Sequence, residues 1–94
     1  MTTKISPVLR GNLLNISEKI KPLHPSAPHA RMLQNQIQLA YFQVKEQKLP
    51  EAELLLSLFN QISGSFDAGV FETVQKEALA LINGIVGKEM VRPT

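Results

Sequence analysis

The chain has no cysteine among its 94 residues. That excludes a disulfide, a thiolate metal site and a cysteine nucleophile, and it agrees with a cytosolic protein. Nowhere do about 18 apolar residues follow one another, so no stretch reads as a membrane-spanning helix. The opening run MTTKISPVLRGNLLNISEKIK lacks the continuous apolar core and small-residue cleavage site of a secretory signal. Charge of one sign is scarce as well: the net charge is +2 and the pI of about 9.2 reflects a small excess on few charges. The ten basic residues are scattered and no helix carries a run of them, which argues against nucleic acid as a partner.

Catalytic constellations are missing too. There is no glycine-rich phosphate loop, no Ser-His-Asp order and no inward-facing pair of carboxylates: Glu51 and Glu53 fall in a first helical turn, Glu72 and Glu77 on an outward face. His24 and His29 are five apart across Pro25 and Pro28, whereas two metal ligands on a helix stand three or four apart; both read as surface or loop-packing residues. The expectation is a binding protein, not an enzyme, with no metal and no cofactor.

What is present is a globular composition, 44% hydrophobic and 19% charged, in a length that makes one domain. Its densest apolar stretch is LPEAELLLSLFNQI. Leu55, Leu58, Phe59 and Ile62 make one helical stripe there, and Leu54 and Leu56 widen it, which predicts a third helix over 50–63 at the centre of the core. Pro50 suits its first turn, and Glu51 and Glu53 complement its dipole. Upstream, Ser6-Pro7 reads as a cap with proline at the first helical position. Leu9, Leu13, Ile16 and Ile20 then mark a first helix over 7–21, in which Gly11 costs roughly 1 kcal/mol against alanine. Pro22 stops it, and the three prolines of residues 21–28 make a stiff loop.

A second helix is expected over 27–47, capped by Ser26, with Ala30, Leu33, Ile37, Ala40, Tyr41 and Val44 as its core stripe and glutamines over much of the rest. Met32, Leu39 and Phe42 fall on its opposite side. One reading is that a middle helix touches neighbours on two sides. The other is a partner-facing patch, against which Asn35 and Glu46 interrupt the apolar row. The short Lys48-Leu49-Pro50 turn predicts antiparallel neighbours. After Gly64, Asp67 is placed to cap and Gly69 to take positive φ; a fourth helix over 70–86 follows, with Val70, Phe71, Val74, Ala78, Leu81, Ile82 and Ile85 as its stripe and Gly87 as its stop. Residues 88–94 read as a flexible tail. Four amphipathic helices without a strand pattern predict an all-α, antiparallel four-helix bundle. A tetratricopeptide unit fits poorly, since the tyrosine-to-alanine spacing is off by two and no second copy occurs.

The run MLQNQIQLAYFQVKEQKLPEAELL resembles the second helix and following turn of the class IIa (pediocin-like) bacteriocin immunity proteins. Their leucine- and glutamine-rich helix ends in a Lys-x-Gln-Lys-like turn with a proline nearby, here Lys45, Glu46, Gln47, Lys48 and Pro50. The similarity continues through the leucine-rich third helix to Asp67-Ala68-Gly69-Val70 and to Phe71-Glu72-Thr73-Val74-Gln75, where Val74 stands in place of the family's frequent tyrosine. It covers residues 32–85, and order, spacing and length together carry it. The resemblance implies a cytoplasmic bundle in a Gram-positive bacterium, with peripheral contact at the inner membrane face. It would protect against a pediocin-like bacteriocin by binding the mannose phosphotransferase permease with its bound bacteriocin. It also implies that specificity lies in the C-terminal half, with Lys88, Glu89, Met90, Val91 and Arg92 as partner-binding candidates. The alternative is a small helical adaptor using the Met32, Leu39 and Phe42 face.

Overall fold

A computed structural model describes residues 4–89. Within them the chain forms four helices: α1 (Pro7–Ile20), α2 (Ala27–Glu46), α3 (Glu51–Ile62) and α4 (Ala68–Val86). The fold is the expected antiparallel four-helix bundle. Each apolar stripe faces inward: Leu13 and Ile20 of α1, Leu33 and Ile37 of α2, Leu55 of α3, and Phe71, Val74 and Ile82 of α4 are buried.

Caps set the helix starts. Ser6 Oγ accepts from Leu9 N at 3.1 Å, Ser26 Oγ from His29 N at 3.3 Å and Asp67 Oδ1 from Val70 N at 3.0 Å. Each bond satisfies a backbone donor that the first turn leaves free. The Asp67 cap starts α4 at Ala68, two residues before the expected point. Gly69 therefore lies inside the helix and does not take positive φ, and Val70 turns outward instead of joining the core stripe. Pro50 stands just outside α3, which begins at Glu51.

The α2–α3 turn owes its shortness to Lys48, which adopts φ 60°. With Lys48 left-handed, its N–H donates to Lys45 O at 2.9 Å and Leu49 N–H donates to Val44 O at 3.3 Å. These reverse bonds satisfy carbonyls at the end of α2, and buried Leu49 sits where such a stop places an apolar residue against the last turn.

The third helix is not the centre. It packs on α2 and α4 but not on α1, and the diagonal contact that closes the core runs between α2 and α4. Leu54, expected to widen a buried stripe, is 57% exposed. A helix at a corner of the bundle has two neighbours, and the arc that includes Leu54 meets solvent.

Two side chains tie α1 to α4 at opposite ends. Gln75 Nε2 donates to Ile20 O at 2.9 Å and to Leu23 O at 3.0 Å, capping the end of α1 from α4. Arg10 Nε donates to Val86 O at 3.3 Å, capping the end of α4 from α1. Helix C-termini carry unsatisfied carbonyls and a partial negative charge, so an amide donor and a guanidinium suit them.

Candidate interaction surfaces

Two sets of residues stand out from the sequence as binding candidates, and they lie on different parts of the bundle. The first is C-terminal. Gly87 and Lys88 close α4 through N–H bonds to Asn83 O and Ile85 O, both at 3.0 Å. Lys88 Nζ then lies 2.9 Å from Glu51 Oε2, in a pair whose side chains are only 24% and 19% exposed. Glu89 O accepts from Ile5 N at 3.0 Å, and its carboxylate lies 3.8 Å from Lys4 Nζ in a solvent-exposed pair.

Lys88 and Glu89 are therefore part of the folded body, which corrects the expectation that the loose tail begins at 88. The cause is antiparallel packing: the end of α4 arrives beside the start of α3, where Glu51 sits in the first turn, and beside the chain that enters α1. The remaining candidates, Met90, Val91 and Arg92, lie outside the described residues. Glu51 Oε1 is buried without a hydrogen-bond partner, so the second oxygen of that carboxylate depends on Lys88 for compensation.

The second set is the outer face of α2. Met32 is 50% exposed, Leu39 50% and Phe42 56%. As a middle helix α2 does touch α1 on one side and α3 on the other, but these neighbours leave Met32, Leu39 and Phe42 about half exposed, Met32 bordering a groove with Glu18, Lys19 and Leu23. Phe42 lies against the Tyr41 ring, with centroids 5.3 Å apart, and Lys45 Nζ stands 5.6 Å from the Tyr41 centroid. This contact orients Phe42 without covering it.

A smaller apolar surface, missed in the sequence, occurs at the end where α3 meets α4. Phe66 and Val70 are exposed there and, with Arg31, line a shallow pocket of about 250 Å³. The histidines are structural: His29 Nδ1 accepts from His24 N at 2.8 Å and the rings stack at 5.8 Å, which fixes the proline-rich loop. Among the described residues no group of three histidine, cysteine, aspartate or glutamate side chains is placed to hold a metal ion. Among them, too, no helix is long and apolar enough to cross a membrane.

Sequence reasoning missed the Gln75 cap, the Lys88–Glu51 pair and the burial of Ile5. Only the second left a local trace, a lysine directly after a helix-stopping glycine and a glutamate directly after a helix-starting proline. Comparisons of the chain with models of protein families, with curated proteins and with solved structures find no significant match.

Proposed function

We propose that the chain is an immunity protein of the pediocin-like kind, acting in the cytoplasm of a Gram-positive bacterium on the permease–bacteriocin assembly. The observation that supports this reading is the bundle itself. Across residues 32–85, α2, α3 and α4 follow one another as antiparallel neighbours within a four-helix bundle, the fold that the resemblance implies. Gln75, within the matching run that opens the fourth helix, has a defined task there as the cap of α1.

The reading requires recognition and no bond-making step. Its candidate surface is the C-terminal half: the outward side of α4, with Glu72, Thr73, Lys76 and Glu77 exposed, and the segment that follows Glu89. Lys88 is already matched by Glu51, so attraction of the terminal segment to an anionic membrane surface rests on Arg92, about 1 kcal/mol.

The test is protection. The protein, expressed in a bacteriocin-sensitive Gram-positive host, raises the inhibitory dose of one or a few pediocin-like peptides and leaves the others unchanged. No shift across a panel, with the protein folded and abundant, refutes the reading. Truncation after Glu89 separates recognition from folding, since every described contact of the C-terminal segment remains; protection falls while the melting temperature holds. Truncation after Gly87 also removes the Lys88–Glu51 pair and the Ile5–Glu89 link, and lowers stability by about 1–3 kcal/mol.

A helical adaptor that binds another protein through α2 is the second reading, favoured by the exposure of Met32, Leu39 and Phe42. In that case Phe42→Glu abolishes binding and truncation after Glu89 has no effect.

A further inference from the structure

The outward residues of α2 follow a pattern that the core stripe does not. Met32, Asn35, Leu39, Phe42 and Glu46 are spaced three, four, three and four apart, and all five are exposed. This is the seam spacing of a two-helix coiled coil, which packs each seam residue into a hole of a facing helix. Alternation of threes and fours keeps the row on one side of the helix for all of its length. Met32, Asn35 and Glu46 border α1 residues, yet all five stay exposed, so the row is open to a facing helix.

We infer that this face is the contact between two copies of the chain, with the two α2 helices packed antiparallel about a twofold axis. The row is self-complementary in one register. When Leu39 meets Phe42 of the second copy, symmetry repeats that apolar pair across the axis. The same register places Asn35 opposite Glu46 of the second copy, so an amide N–H donates to a carboxylate, again twice. On one flank Gln36 faces Gln43 of the second copy and on the other Gln38 faces Lys45, all able to hydrogen-bond. Arg31 comes within one turn of the second copy's Glu46, and neither residue belongs to an ion pair among the described residues. Met32 falls opposite the 48–50 turn, where Pro50 is exposed.

The competing registers fail on the same residues. Sliding one helix by a heptad in one direction sets Asn35 against Leu39, and in the other direction Glu46 against Phe42. A parallel pair sets Glu46 against Glu46. A polar residue within an apolar seam fixes register by making the mismatched alternatives costly. Asn35 and Glu46, which interrupt the apolar row, are thus the residues that select its partner. This inference is independent of the immunity reading.

A single-helix contact lies at the small end of specific interfaces, which bury about 800 Å² per partner, so sedimentation equilibrium is run to protein concentrations on the order of 1 mM. The expected mass rises from 10.4 kDa to twice that value. Phe42→Glu and Leu39→Glu, both at exposed positions, weaken association at least about tenfold with no change in the melting curve. The absence of native cysteine gives a direct test of register. Asn35→Cys and Glu46→Cys chains, oxidised together, give a covalent heterodimer, whereas each oxidised alone gives none. A wild-type chain that stays monomeric throughout overturns the inference. So does an Asn35→Cys chain that crosslinks to itself, or a dimer whose mixed cysteines remain unlinked.

Discussion

Lys48 carries the one left-handed conformation among the described non-glycine residues. Such a conformation costs an L-residue roughly 1–2 kcal/mol, of which glycine regains part and then loses some through its freer unfolded chain. Lys48→Gly is expected to stabilise the fold by about 0.5–1 kcal/mol, measured by urea denaturation with an unchanged slope. The turn was legible as short but not as left-handed. Its trace was the apolar spacing from Val44 to Leu49, which marks the stop only once the helix end is known. Individual exposures were harder still. Leu54 and Val70 continue apolar stripes in sequence yet face solvent, because the width of a stripe says nothing of how many neighbours a helix has.

At the scale of helices the sequence was informative where periodicity and caps spoke together. All four segments form, and Ser6, Ser26 and Asp67 each accept the first-turn hydrogen bond expected of them. The interhelical caps were not legible. Gln75 and the carbonyls of Ile20 and Leu23 are more than fifty residues apart, and only the finished packing of α4 on α1 brings them together. Gln75→Ala is expected to cost about 1–3 kcal/mol, since two backbone carbonyls lose their donor. Its signature is faster amide exchange in the last turn of α1, more than in α2 or α3. The outer row of α2 stood in plain view, but its meaning waited on which side α1 and α3 would choose.

For the whole molecule, the meeting of Ile5 with Glu89 matters most. Lys88 and Glu89, which read as loose in the sequence, are stitched to Glu51 and to Ile5. The 3.0 Å bond from Ile5 N to Glu89 O also means that the chain enters and leaves the bundle at one point. The order in which the helices are connected is therefore separable from their arrangement. A circular permutant, with the natural ends bridged by a short glycine–serine linker and new ends opened between Gly64 and Ser65 in the exposed α3–α4 loop, keeps the same packing. It should melt cooperatively with an unaltered helical spectrum, while a non-cooperative transition would show that the α3–α4 connection guides assembly. In such a chain α4 is synthesised first and α3 last, so the bundle would close on a different helix from the one that closes it now.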